Sequence, residues 1–227
     1  MDSSGQILAA VDIHREFRTA EGILPVLKGI DLKVRRNEIL AVTGASGVGK
    51  STLLHILGGL DRPTSGEVTL DDVAISQLSE QELARLRNRK VGYVFQSHYL
   101  LDDFSALENV MIPMLLAGRS HAEARRRAEL LLADVGLTDR QSHRPKQLSG
   151  GEQQRVAVAR ALANEPGIVL ADEPSGNLDT ATGRMLHDLL FRLNELNGTT
   201  FVIATHNREL ADRCHREIRM ADGRVMM

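Results

Sequence analysis

The sequence predicts an α/β fold in which a parallel sheet is covered by helices on both faces and interrupted by an inserted helical subdomain. Three observations carry that prediction. The runs Ile39-Leu40-Ala41-Val42, Ile168-Val169-Leu170-Ala171 and Phe201-Val202-Ile203-Ala204 are short, continuous and apolar, as strands buried on both faces are. Helical patterns separate them, and strands that alternate with helices build parallel sheets. From Gln96 to about Leu148 strand character disappears and only helical patterns remain, which marks a subdomain. A chain of 227 residues is large for one domain and small for two, so one core with an insertion is the natural arrangement.

Taken in order, Ile7 to Ile13 and Ile30 to Val34 read as strands, with a turn at Ala20-Glu21-Gly22. Strand Ile39 to Val42 enters a glycine-rich loop, and the apolar helix beyond it runs from Ser51 toward Leu60, ending at the Gly58-Gly59 pair. Glu67 to Leu70 is a short strand. Ser79-Glu80-Gln81-Glu82 is a capping box, in which serine and glutamate satisfy each other's backbone N–H groups, and its helix extends through about Asn88. Val91 to Phe95 returns to strand and stops at Gln96. Within the insertion, further capping boxes stand at Ser105 to Glu108 and Ser120 to Glu123. The latter opens a helix with Ala124, Ala128, Leu131, Leu132 and Val135 inward and Gly136 as C-cap, so Arg125, Arg126 and Arg127 form its solvated face. Leu148-Ser149-Gly150-Gly151-Glu152 opens another helix, through Asn164. Thr180 to Leu196 is helical, with Leu186, Leu189, Leu190 and Leu193 on one side and Gly198 past its end. Asp222-Gly223 is a hairpin turn between two short C-terminal strands.

Bulk properties narrow the function classes. A net charge of -2 with basic residues spread along the chain argues against a nucleic-acid partner. The single cysteine, Cys214, excludes an internal disulfide and a cysteine metal cluster, and suits a reducing compartment. Met1 to Gln6 lacks the basic and apolar regions of a signal peptide, and no stretch approaches the roughly 20 apolar residues that cross a bilayer. The chain is expected to be soluble and cytoplasmic, with any membrane role supplied by a partner.

Chemistry gathers at the predicted strand ends. Gly44-Ala45-Ser46-Gly47-Val48-Gly49-Lys50-Ser51, between a buried strand and the helix running on from Thr52, reads as a phosphate-binding loop. Its glycines turn successive N–H groups toward one anion, Lys50 reaches the outer phosphates, and the Ser51 hydroxyl suits Mg²⁺. The helix start adds partial positive charge. Asp172 and Glu173 follow another buried strand, so they share the crevice at the sheet's C-terminal edge. Phosphoryl transfer needs a carboxylate for Mg²⁺, which Asp172 fits, and a group that handles the attacking water, which Glu173 fits. His206 also follows a strand and can hydrogen-bond a terminal phosphate. Gln96, again at a strand end, can touch Mg²⁺ or water. Ser149 to Glu152 is a capping box, yet Gly150-Gly151 inside it lowers helix propensity and exposes backbone N–H groups. With two phosphate-binding helix starts, one subunit either holds two separate nucleotides or completes a site whose first loop lies on another copy.

Together these residues resemble the nucleotide-binding subunits of ABC transporters, with the resemblance covering essentially the whole chain. Gly44 to Ser51 matches the Walker A loop, Gln96 the Q-loop residue, Leu148 to Glu152 the signature, Ile168 to Asp172 Walker B with Glu173 after it, Ser175 to Asp179 the D-loop, and His206 the switch histidine. The resemblance implies a P-loop NTPase with a RecA-like parallel core, an N-terminal antiparallel β part and a helical signature subdomain at 96–164, the core being 1–95 and 165–227. It implies ATP and Mg²⁺ as ligands, with Ser51, Gln96 and Asp172 on the metal and Glu173, His206 and Gln96 catalytic. It also implies a homodimer in which each ATP lies between one chain's Walker A loop and Leu148, Ser149, Gly150, Gly151 and Glu152 of the other, beside Asp179. Phe17 matches the residue that stacks on adenine, usually tyrosine, and Asn207 stands where an acid often follows the histidine.

More narrowly, Leu54 to Gly66 resembles the subgroup that serves lipoprotein release, macrolide export and cell division. Leu100 to Val110, His143-Arg144-Pro145 and Met220 to Arg224 resemble its lipoprotein-releasing members, with Asp103 where a proline is expected. That implies an ATPase on the cytoplasmic face of the inner membrane, bound to integral membrane permease subunits of the lipoprotein-releasing type. Efflux ATPases of the macrolide type usually continue into a fused membrane domain, and this chain stops at Met227. Soluble ABC ATPases generally carry paired cassettes or a coiled-coil insertion, and a non-hydrolysing module is at odds with intact Lys50, Asp172, Glu173 and His206.

Overall fold

The computed structural model of the protein describes residues 5–20 and 22–226; Glu21 of the expected turn, and residues 1–4 and 227 at the termini, lie outside the described residues. Two sheets form the frame. The first is antiparallel, with β1 (Gln6–Thr19) between β2 (Gly22–Arg35) and β4 (Ser65–Leu70), and β5 (Val73–Ala74) beyond β4. The second contains β3 (Ile39–Gly44), β6 (Val91–Val94), β7 (Ile168–Asp172), β8 (Thr200–Ala204), β9 (Arg216–Ala221) and β10 (Arg224–Met226) in the order β10-β9-β3-β8-β7-β6. All of its pairings are parallel except the β9–β10 hairpin at the edge, which turns at Asp222-Gly223.

Alternation along the buried strands divides the core. Ile39, Val169, Ala171, Phe201 and Ile203 face one apolar cluster, which includes the inward residues of α3 (Ala106–Leu116), α4 (His121–Asp134), α5 (Gly150–Ala161) and α6 (Thr180–Asn197). Leu40, Val42, Ile168, Leu170, Val202 and Ala204 face the other, with α1 (Lys50–Leu57) and the antiparallel sheet. Neither face of the central strands β3, β8 and β7 meets water, which is why they read as unbroken apolar runs, whereas the edge strands β9 and β10 keep exposed, charged positions.

The structure changes several element boundaries. The first two strands run well past Ile7 to Ile13 and Ile30 to Val34. The added part of β1 is mostly polar and that of β2 carries exposed Ile23 and Leu24 with only Leu27 fully buried, so ladder bonds rather than a continuous apolar face hold their tips, and no clean alternation marks them. The helix after the loop starts at Lys50 and stops at Leu57. A Cβ on Gly58 would fall 1.8 Å from the Tyr93 hydroxyl, and Gly59 turns to φ 71. Helix α5 ends at Ala161, short of Asn164, whose side chain instead donates to the carbonyls of Asn88 and Pro113 and ties α3 to the end of α2 (Glu80–Lys90).

Because β3, β8, β7 and β6 run parallel and adjacent, the segments after them emerge side by side at one edge. These are 44–49, 205–207, 173–179 and 95–99. The antiparallel sheet docks beside the first of them, where Lys28 N–H donates to Gly223 O and its ammonium to Asp222.

Candidate nucleotide site

The loop 44–50 is shaped by glycines that have different reasons to be glycine. Gly44 has φ 148 and a Cβ there would lie 2.5 Å from Met220 O, while Gly49 has φ 105 and would meet Leu27 Cδ2 at 2.9 Å. Gly47 has φ 77 with open space around it, so only the backbone turn requires glycine there. Lys50 is buried, its ammonium donating to Gly44 O at 3.0 Å and Ala45 O at 3.1 Å. Val48 N–H donates to Ala45 O at 3.4 Å, closing the loop on itself. Ser46 and Ser51 are exposed and Thr52 half-buried.

Helix starts elsewhere in the chain set this one apart. Ser79, Ser105, Ser120 and Ser149 cap α2 to α5, Asp179 caps α6, and Asn207 caps α7 (Arg208–Arg213). Helix α1 begins at a left-handed Gly49 and has no side-chain cap. Its first-turn N–H groups are thus free of side-chain acceptors, and a bare helix start beside a lysine fits a phosphate.

Asp172 ends β7 in register with Ala204 of β8. Glu173 follows at φ 45, a left-handed conformation in a residue that has a Cβ, with its N–H donated to Ala204 O at 2.9 Å. Its carboxylate lies 3.0 Å from His206 Nδ1 and accepts the His206 backbone N–H at 3.3 Å. The Glu173 side chain is mostly buried while that of His206 is mostly exposed. Asn207, in the place of the expected acid, accepts Leu210 N–H and so performs the capping task itself.

Gln96 Nε2 donates to Asn177 Oδ1 at 3.0 Å, and Asn177 Nδ2 donates back to Gln96 O at 3.1 Å. The pairing commits the Gln96 amide nitrogen and leaves its Oε1 as the group able to meet a cation. The Ser51 hydroxyl, the Gln96 amide oxygen and the Asp172 carboxylate are all oxygen donors, the chemistry that would suit Mg²⁺. Among the described residues, no cluster of three or more histidine, cysteine or acidic side chains forms a separate metal site.

The Ser149 to Glu152 stretch is a complete capping box. Ser149 N–H and Oγ donate to Glu152 Oε2 at 2.8 and 2.9 Å, and Glu152 N–H returns to Ser149 Oγ. The Ser149 N–H, followed by the Arg140 guanidinium, holds the Glu152 carboxyl down at about 2. Its glycines differ. A Cβ on Gly151 would sit 2.3 Å from Thr182 Cγ2, so packing of α5 on α6 requires glycine, whereas Gly150 meets only Leu178 Cδ2 at an ordinary 3.7 Å. Leu148 is buried in the helical cluster. Phe17 lies on β1 opposite Leu24, a short distance along the ladder from Leu27, the residue that abuts Gly49. Arg15 covers one face of its ring, the guanidinium 4.5 Å from the centroid.

The sequence places Asn177 in the loop Ser175 to Asp179 without showing its pairing with Gln96, and gives no sign of Thr182 or Arg140. Asn177 and Gln96 are 81 residues apart, and nothing local to either signals the pairing. The Gly150-Gly151 pair reads in the sequence as exposed backbone N–H groups, and nothing local marks Thr182 as the neighbour of Gly151.

A strand-loop-helix phosphate cradle, an acid pair at the end of a second strand, and a histidine just past the strand between them define a nucleotide-hydrolysing cassette. A family model described as ABC transporter matches residues 27–176, and the chain belongs to that family, as an ATP-binding subunit and an ATPase coupled to transport. It is 51% identical, over 97% of its own length and 96% of the other, to the lipoprotein-releasing system ATP-binding protein LolD of Aquifex aeolicus. To LolD of Syntrophus aciditrophicus it is 54% identical over 89% and 91%. It superimposes with a TM-score of 0.90, at 40% identity and 97% coverage of each chain, on a dimeric post-hydrolysis structure of the ATP-binding cassette MJ0796 bound to ADP and Pi.

Proposed function

We propose that the chain is a LolD-type subunit that hydrolyses ATP to drive release of lipoproteins from the inner membrane, working with permease subunits of the LolC/LolE kind. The observation that carries hydrolysis is the Glu173 carboxylate, aimed by both the ring and the backbone N–H of His206. Identity above 50% to LolD proteins along most of the chain supports the cargo. No helix among the described residues is long and apolar enough to cross a membrane, which supports a peripheral position on the cytoplasmic face, held by the permease.

In this assignment residues 1–95 and 165–227 form the catalytic core and 96–164 the helical signature subdomain. Residues 44–52 bind the phosphates, Lys50 leaving the Gly44 and Ala45 carbonyls for phosphate oxygens, and Phe17 stacks on adenine with the ring face that Arg15 leaves open. Ser51, Gln96 and Asp172 would hold Mg²⁺, which supplies charge neutralisation at the phosphates. Glu173 orients and deprotonates the attacking water, His206 holds Glu173, and Gln96 senses the cation. The dimeric state of the MJ0796 cassette supports a homodimer in which Leu148, Ser149, Gly150, Gly151 and Glu152, with Asp179, complete the partner's site.

Glu173→Gln keeps the shape and loses the base. Steady-state phosphate release is expected to fall by about 10²- to 10⁴-fold while ATP stays bound and a dimer accumulates on gel filtration. Unchanged turnover would remove Glu173 from the chemistry. For the cargo, proteoliposomes carrying the chain with a LolC/LolE-type permease should release a lipoprotein only when ATP is present; release without ATP would sink that assignment.

A further inference from the structure

The buried face of α6 carries a histidine to which the proposed chemistry gives no task. His187 is 2% exposed and lies among Leu186, Leu190 and Gly183. Its Nε2 is 2.8 Å from Ser175 Oγ, and its Nδ1 is buried without a partner. One turn earlier Gly183 faces the same residue: a Cβ there would make an ordinary 3.5 Å contact with the Ser175 Cβ, so α6 and the segment holding Ser175 lie side by side here. Burial pushes the imidazole below its usual range, so the ring is neutral and carries one N–H. A buried orphan N–H is rarer than a buried orphan acceptor, which assigns the proton to Nε2 as a donor to Ser175 and leaves the Nδ1 lone pair unused.

Ser175 belongs to the turn that carries Glu173. Gly176 N–H donates to Glu173 O at 2.9 Å, and Leu178 N–H donates to Ser175 O at 3.1 Å, so residues 173–178 form one hydrogen-bonded unit ending at the Asp179 cap. Glu173 sits in a left-handed conformation that persists only where its surroundings hold it. Yet a cavity of about 190 Å³, lined by Glu173, Asp179, Arg184, His187, His206 and Glu209 among others, lies beside the turn and gives it room to shift. On that side the hydrogen bond to His187 is the peg.

We propose that His187 is a positioning residue for ATP hydrolysis. By pinning Ser175 to α6 it keeps the Glu173 carboxylate aimed and the Asp179 end of the turn in place. The proposal rests on Glu173 being the group that handles the attacking water.

The test uses the full-length protein and four variants. His187→Leu fills the site without a hydrogen bond, Ser175→Ala removes the other partner, the double variant removes both, and His187→Gln keeps a donor near the Nε2 position. Expected are kcat losses of about tenfold to a hundredfold in His187→Leu and in Ser175→Ala, as misplacement of a catalytic group produces, with KM for ATP changed by less than about twofold. Because one bond is broken in all of them, the double variant should lose no more than the worse single, and His187→Gln should regain about half of the wild-type kcat. Wild-type kcat in His187→Leu, with only a lowered Tm, would reduce the residue to packing and overturn the proposal. Losses that multiply in the double variant would do the same. Should His187→Leu fail to fold, Ser175→Ala alone decides, since undiminished kcat there overturns the link. Wild-type turnover in Glu173→Gln would instead overturn the assignment of the site.

Discussion

Tyr93 shows how one atom can be out of step with its surroundings. Its ring stacks on Phe95, with centroids 5.6 Å apart, but the hydroxyl is buried against Gly58 and makes no hydrogen bond. Burial pushes the phenol well above its usual range. A buried hydroxyl without a partner is a net cost, so Tyr93→Phe is expected to leave Tm unchanged or raise it by about 1 kcal/mol equivalent, and a fall in Tm would reveal a partner for the hydroxyl. Gly151 makes the opposite point. Gly151→Ala should destabilise by about 1–3 kcal/mol through overlap with Thr182 Cγ2, and Thr182→Ser, which deletes that methyl and keeps the hydroxyl on Asp179, should restore most of it in denaturant melts. At this scale the sequence revealed the residues whose place follows from a strand end. Lys50, Asp172, Glu173, His206 and Gln96 each end or follow an apolar run, and the parallel sheet brings those ends together. It did not reveal the residues that aim them. His187 looks like one more position on an amphipathic helix, and Asn177 like one more loop polar group, because a side chain's distant partner leaves no mark on its own neighbours.

Helix ends repeat one device. Four serine-glutamate boxes start α2 to α5, and each lowers its glutamate pKa, mainly through the serine hydroxyl at Glu82 and Glu123 and the serine N–H at Glu108 and Glu152. A carboxyl whose pKa is depressed on folding adds stability that is present above its unfolded value near 4.5 and is lost as pH falls through its folded value, about 2 for Glu152. Glu152→Gln, which also loses the Arg140 ion pair, is therefore expected to cost about 1 kcal/mol at pH 7, and the gap should close between about pH 4.5 and pH 2 in thermal melts followed by circular dichroism. A gap that persists at pH 2 would place its origin in packing rather than charge. Capping boxes were legible because all their parts lie within one helical turn. The outer halves of β1 and β2, the short β5, and α7 were not, being polar, brief or held by ladder bonds whose partners lie elsewhere in the chain.

At the scale of the whole molecule, the proposed homodimer with composite sites makes a sharp forecast. Gly150→Glu and Lys50→Ala proteins should each be inactive alone, yet mixing them should restore ATP turnover, because the heterodimer pairs an intact Walker A loop with an intact signature once. Wild-type activity in homogeneous Gly150→Glu protein would take the signature out of catalysis. That the sequence raised the choice between two separate sites and one shared site, without deciding it, has a physical cause. A capping box and an anion-binding helix start use the same residues, and here Ser149 and Glu152 visibly serve the first while Gly150, with no tight contact inside its own chain, is left over. The contact between Gly151 and Thr182 then reaches beyond packing. Thr182 hangs from Asp179, the cap at the end of the turn that begins at Glu173, so the turn 173–179 and the signature helix start are built as one piece, which in the proposed dimer would serve the chain's own nucleotide and its partner's. In the proposed dimer, a shift of one subunit's turn 173–179 would therefore be carried through Thr182 and Gly151 to the signature segment it presents to its neighbour.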